Sequence, residues 1–172
     1  KRRGFDITVI ASGDGWLKSK IQNLGIKFIE NKFFANSWNP VKQLRSVLFL
    51  RKIIKKEKPD IVHAHSGAAG FIGRIASFGL AKKVFTAHGW SFTKGTPFFR
   101  RVVAILVENL ITPFTDKIIT VSKNDYNLAK KKLVFSRNKL EVIWNGIEIS
   151  ENIIYFLPKI NEKIKILFIG RL

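Results

Sequence analysis

The stretch from residue 59 to residue 93, PDIVHAHSGAAGFIGRIASFGLAKKVFTAHGWSFT, decides the fold. It sets two short apolar strands with polar ends around a helix of small residues. Asp60 to Ala64 alternates about a β-branched core and runs out into His65, Ser66 and Gly67, and Val84 to Ala87 runs out in the same way into His88, Gly89 and Trp90. In an open parallel sheet, ligands bind outside the carboxyl ends of the strands, where polar side chains and helix N-termini converge. Both strand ends here carry side chains suited to such a cleft.

Outward from this unit, strand and helix patterns alternate with short connections. Ile7 to Ala11 reads as a strand, Leu17 to Leu24 as a helix stopped by Gly25, and Ile26 to Glu30 as a second strand. Pro40 to Lys58 is helical, with Leu44, Val47, Leu50 and Ile54 on one face, and Pro59 ends it. A helix from about Ala68 to Phe78 follows the Ile61 strand, its glycines and alanines allowing close approach to the sheet. Thr96 and Pro97 read as an N-cap and first-turn proline opening a helix through Leu110, which is expected to pack against the sheet. Ile118 to Val121 is a strand leading into Ser122, whose spacing to Asp125 suggests a capping box. Leu140 to Trp144 is a further strand, ending at Asn145 and Gly146. The alternation predicts an α/β, Rossmann-like, mostly parallel sheet with helices on both faces.

A chain of 172 residues suffices for one domain with a sizeable core and falls short of two full ones. Residues 1–147 read as that domain, 148–163 as a polar, proline-containing linker, and 164–172 as the first strand of another domain. The opening KRRGFDITVI and the lack of methionine suggest an internal piece of a longer protein. Hydrophobic residues at 46% and 15 phenylalanines exclude a disordered chain. No near-continuous apolar run reaches the roughly 20 residues of a spanning helix. Without cysteine there is neither a disulfide framework nor a thiolate metal site, which fits a reducing compartment.

Lys and Arg total 31 against 12 Asp and Glu, a net charge of +19 that attracts nucleic acid, anionic lipid or phosphorylated ligands. The basic residues are dispersed, and no nucleic-acid-binding signature appears. In the Pro40 to Lys58 helix, Arg45, Lys52 and Lys56 fall together, with Leu48 and Phe49 intruding beside them. This face reads either as a solvated one or as a surface for an anionic bilayer.

Five segments in order, HAHSGAAGFIGRIA, VFTAHGWSFT, DKIITVSKNDYNLA, LEVIWNGIE and ILFIGRL, resemble the amino-terminal half of a retaining, family-4-type glycosyltransferase of the GT-B architecture. The similarity is greatest to bacterial enzymes that build surface polysaccharides from nucleotide sugars. It covers nearly the whole chain, but starts after the family's first strand and glycine-rich loop and stops before the paired-glutamate segment. The resemblance therefore implies a fragment that is inactive alone, the acceptor-side domain of an enzyme moving sugar from a nucleotide donor, UDP-linked, to a glycan or lipid-linked acceptor.

The same resemblance implies site residues. His88 would face the donor sugar and support transfer, Gly170 and Arg171 would hold the donor diphosphate, and His65, Ser66, Gly89, Trp90, Ser122 and Asn145 would line the cleft. Guanidinium suits departing phosphate because it offers several donors and stays charged. No metal is expected: His63 and His65 share a strand face, but with no acidic or thiol partner nearby their role reads as structural hydrogen bonding. Trp90 reads as a sugar-stacking ring or as packing. The expected partners are a nucleotide sugar, a glycan or lipid-linked acceptor and an anionic membrane surface, not nucleic acid, with the protein cytoplasmic and peripheral on the inner face. The alternative is a noncatalytic basic α/β module that binds anionic lipid or nucleic acid.

Overall fold

A computed structural model describes residues 4–13, 15–34, 39–136 and 138–146 of the chain. The expected linker at 148–163, the strand at 164–172, and with them Gly170 and Arg171, lie outside the described residues.

The elements alternate as β1 (Thr8–Ala11), α1 (Trp16–Asn23), β2 (Lys27–Glu30), α2 (Pro40–Glu57), β3 (Ile61–His65), α3 (Gly67–Ala76), β4 (Lys82–Ala87), α4 (Phe98–Ile111), a 3-10 turn (Thr112–Phe114), β5 (Lys117–Thr120), α5 (Lys123–Lys132) and β6 (Leu140–Val142). Among the described residues every pairing is parallel. The ladder divides into a β1-β2 pair and a four-stranded sheet in the order β3-β4-β5-β6. One continuous sheet was the expectation.

Local chemistry explains the boundaries. Asn39 caps α2 by accepting from the Val41 and Lys42 backbone N–H groups, with Pro40 at the first helical position. At the other end Lys58 turns left-handed, at φ 47°, ahead of Pro59. Ser122 Oγ accepts from the Asp125 N–H at 3.0 Å and donates to Asp125 Oδ2 at 2.6 Å, so the expected cap of α5 forms, with aspartate in the usual place of glutamate. The expected cap at Thr96 does not form: α4 starts one residue later, after an extended Pro97 at ψ 140° and with no side-chain cap. The last strand stops at Val142, although the Ile143 N–H still donates to the Thr120 carbonyl.

Register places Ala64, Phe85, Ile118 and Leu140 side by side across the four strands, and α3, α4 and α5 cover this face. One cluster joins Phe85, Ile118 and Leu140 to Ala129 and Leu133 of α5, with Ala104 and Ile105 of α4 against it. A second joins Leu50 and Ile54 of α2 to Ile72 and Ala76 of α3, and Ile10 of β1 packs against it. The small residues of α3 have a steric reason. A Cβ at Gly70 would overlap the Phe85 ring, and one at Gly73 would come within 3.1 Å of Ala64 Cβ.

Two helices depart from the expected packing. In α2, Leu44 faces solvent rather than the core, Leu48 is exposed beside Arg45 and Lys52, and Phe49 turns onto the Phe33 ring, centroids 5.8 Å apart. In α4, expected to pack against the sheet, Ile111 alone is buried, and Phe98, Phe99, Leu106 and Leu110 are exposed. Its charged residues explain the orientation. Arg74 of α3 is 1% exposed and pairs with Glu108 of α4 through two 2.9 Å bonds, so the helix is turned with its carboxylate inward. Arg74 also donates Nε–H to the Gly70 carbonyl and lies over the Phe85 ring, 4.3 Å from its centroid.

Replacing Glu108 by alanine leaves the Arg74 charge buried without its counter-ion, a loss of about 3–5 kcal/mol. Chemical denaturation of Glu108→Ala beside wild type measures it. A loss below about 1 kcal/mol would show that the pair is a surface-type contact.

Candidate functional site

Because all four strands run the same way, His65, His88, Ser122 and Asn145 emerge at one edge of the sheet, the carboxyl edge. The tightest grouping there is of histidines. On β3, His63 and His65 project to the same face, ring centroids 4.3 Å apart, as their spacing predicts. His63 Nε2 lies 2.8 Å from the hydroxyl of Thr86, which is buried on β4. His65 Nδ1 lies 3.0 Å from His88 Nε2, with the two rings stacked at 5.3 Å.

Two imidazole nitrogens at that distance need one N–H and one bare nitrogen between them, so the His65–His88 pair cannot be doubly protonated and keep this contact. In line with this, the pKa of His65 is lowered by partial burial and then by the charge of His88. That of His63 is lowered by partial burial, then by His65 and His88. The contact takes up His88 Nε2, and Nδ1 makes no hydrogen bond among the described residues. His88 is thus exposed, its ring held on one side and open on the other. The rings stack side by side, and among the described residues no group of three His, Asp or Glu side chains could hold a metal ion.

The backbone around His88 follows from the order Ala-His-Gly-Trp. Ala87 closes the buried face of β4, at 1% exposure, and alternation turns the next side chain outward. Gly89 then takes φ +143°, a conformation that L side chains rarely adopt, and the chain turns back so that Trp90 enters the core. Trp90 is 5% exposed, stacks on Phe92 at 4.9 Å and donates Nε1–H to the Asp125 carbonyl. That corrects the reading of Trp90 as a cleft-lining, sugar-stacking ring: its indole is an internal anchor that ties the His88 turn to α5.

Ser66, between β3 and α3, sits at φ 70° and ψ 159°, a region nearly exclusive to glycine, and gives α3 no side-chain cap. Such strain costs about 1–3 kcal/mol and concentrates at functional sites. The hydroxyl of Ser122 is occupied by its cap, and Asn145 is exposed. Thr86 and the Arg74–Glu108 pair were not singled out from the sequence. The signal for the second was a lone arginine in an otherwise small and apolar helix. A shallow concavity lined by Lys58, Asp60, Lys82, Lys83 and Asp116 lies at the opposite edge, where the strands begin, and Lys82 and Lys83 there pair with Asp116.

The described residues form a parallel α/β, Rossmann-like domain with a polar cluster at its carboxyl edge. A match to Glycosyltransferase Family 4 runs over residues 1–151, and the chain belongs to that family. It is 31% identical, over 160 residues, to a UDP-Gal:alpha-D-GlcNAc-diphosphoundecaprenol alpha-1,3-galactosyltransferase of Escherichia coli, covering 92% of this chain and 40% of that relative. A glycosyltransferase of Rickettsia africae superposes with a TM-score of 0.67 at 26% identity, over 85% of this chain and 36% of the other. An Anabaena protein solved with UDP-glucose superposes at 0.61 and 21% identity, over 82% and 36%, which speaks to fold. The chain thus spans less than half the length of each.

Two measurements check this site. With the pKa of His63 and His65 lowered by folding, the unfolded chain takes up protons first. Their contribution to stability is therefore complete above about pH 6.5 and is lost as pH falls through the folded pKa. Melting curves from about pH 7.5 to 5 should fall more steeply for wild type than for His63→Gln/His65→Gln. Ser66→Gly should gain about 1 kcal/mol by releasing the positive-φ strain, and an unchanged midpoint in urea would show that the strain is absent.

Proposed function

We propose that this chain is the acceptor-side part of a glycosyltransferase that moves a sugar from a UDP-linked donor to a lipid-linked glycan, with retention of anomeric configuration and without a metal. The observation that carries the reading is the placement of His88, exposed at the carboxyl edge of β4 with one nitrogen engaged by His65 and the other open. The Escherichia coli relative supports it by its nucleotide-sugar donor and its diphosphoundecaprenol acceptor.

In this reading the histidine pair supplies a polar group whose proton position is set before substrate binds, so its interaction can favour the transition state over the ground state. His65 is a positioning residue: it orients the His88 ring and fixes which nitrogen faces the cleft. Gly89 and Trp90 act through the backbone, holding the turn that presents His88. Gly170 and Arg171 would meet the donor diphosphate, where a guanidinium neutralises the charge that develops as the sugar departs. The protein would work on the cytoplasmic face of a membrane whose anionic lipids attract its +19 charge, including the exposed Arg45, Lys52 and Lys56 of α2.

In the full-length enzyme, His88→Ala should lower kcat for sugar transfer by about 10²–10³-fold while the melting temperature stays near that of wild type. Wild-type turnover by His88→Ala would refute its assignment, and a product of inverted anomeric configuration, read by NMR, would refute retention.

A further inference from the structure

The outward face of α4 is a feature that the site leaves unexplained. Phe99, Val102, Leu106 and Leu110 follow one another at helical spacing and all are exposed, Phe99 at 78% and Leu110 at 71%. Phe98, 73% exposed, stands beside the start of this stripe, and Phe114 continues past its end, edge-on to the exposed Phe78 at 5.1 Å. Isolated exposed apolar residues need no explanation, but a continuous stripe does.

Its charges favour one kind of partner. Glu108 is the only acidic residue in the α4 sequence, and its carboxylate is turned inward onto Arg74. The charges near its Phe98 end are cationic: exposed Lys94 in the preceding loop, exposed Arg100, and Arg101, whose guanidinium lies 5.8 Å from the Phe98 ring centroid. A second copy of this chain would bring the same cations and the same +19 charge to the contact, so self-association works against repulsion. A bilayer with anionic headgroups meets both parts, taking aromatic and aliphatic side chains below the headgroups and leaving the arginines among the phosphates. The helix has 14 residues, about 21 Å, too short to span a hydrocarbon core of about 30 Å, so it would lie along the surface.

We propose that the Phe98–Leu110 face of α4 is the surface by which this protein seats on an anionic lipid bilayer. The proposal rests on the reading that the acceptor is lipid-linked, and names the surface that meets the lipid. The topology makes the placement useful. Because α4 leaves the carboxyl edge of β4 and must return to the start of β5, its Phe98 end lies at the edge that carries His65 and His88. Seating this end on a membrane brings the headgroup region to the mouth of the cleft. The cationic row on α2 then adds long-range attraction, which salt screens within about 8 Å, whereas the α4 stripe contributes the part that salt does not remove.

The test is flotation of the full-length protein with phosphatidylglycerol or phosphatidylcholine vesicles at low and high salt. Wild type should float with phosphatidylglycerol and keep part of that binding at high salt. Phe98→Ser/Phe99→Ser should lower the salt-resistant part about tenfold or more with an unchanged circular dichroism spectrum, since both side chains are exposed. Arg45→Gln/Lys52→Gln/Lys56→Gln should lower only the low-salt binding. Flotation of Phe98→Ser/Phe99→Ser equal to wild type would overturn the proposal, as would a wild type that ignores vesicles and sediments as a dimer. A second variant, Leu106→Ser, gives the same reading if the double variant fails to fold. Transfer to a water-soluble acceptor analogue separates the two claims. A protein that floats through α4 and transfers no sugar would fell the functional reading and leave the surface standing.

Discussion

The Arg74–Glu108 pair sets the constraint on which much of the architecture depends. A guanidinium in a helix made otherwise of glycine, alanine, isoleucine and phenylalanine must find a counter-charge, because an unpaired buried ion costs several kcal/mol. Glu108 supplies it from the next helix, the Gly70 carbonyl takes the Nε–H, and the Phe85 ring lies under the guanidinium plane. The pair thereby fixes the rotation of α4. With its acid turned inward, the helix leaves an apolar stripe outward, so one internal contact specifies both a joint of the core and the character of an external surface. The polar pair itself is weak evidence for stability, since desolvation offsets much of its attraction. Its stronger consequence is orientation.

At the carboxyl edge, the site is built by backbone as much as by side chains. Strand alternation puts Ala87 in and His88 out, the positive φ of Gly89 reverses the path, and Trp90 fastens the turn beneath α5. Across the ladder, β3 delivers His65 to the same place, where it engages one nitrogen of His88 and leaves the other to the cleft. Ser66 bears a conformation normally left to glycine at the same point. Rigid strands thus hold the histidines, and the strained joint lies beside them, as expected where geometry at the site outweighs local comfort.

Much of this was legible in the sequence because the signals are local. The alternation in DIVHAH and VFTAH, the small residues between them, the helical period from Pro40 to Lys58, and the Ser122 to Asp125 spacing each act over a few residues, and each gives the element or cap that its chemistry predicts. The ordered segments carried the family as well, and the first four lie within the residues that match it. The Thr96 cap failed because proline at the next position takes an extended ψ, which moves the helix start beyond it.

Sequence by itself determined the α/β class, the parallel order of strands and helices, the family, and the excess of positive charge, all of which follow from period, punctuation and composition along the chain. Tertiary structure alone decided which way each face turned. Leu44 and the α4 stripe face solvent, and Trp90 is an anchor instead of a sugar platform. His65 meets His88, 23 residues away, through strand pairing that no local pattern encodes. The physical reason is that periodicity states that a helix has an apolar face, whereas burial is settled by the competition among all such faces for one core; for α4 the buried Arg74 decided it through Glu108.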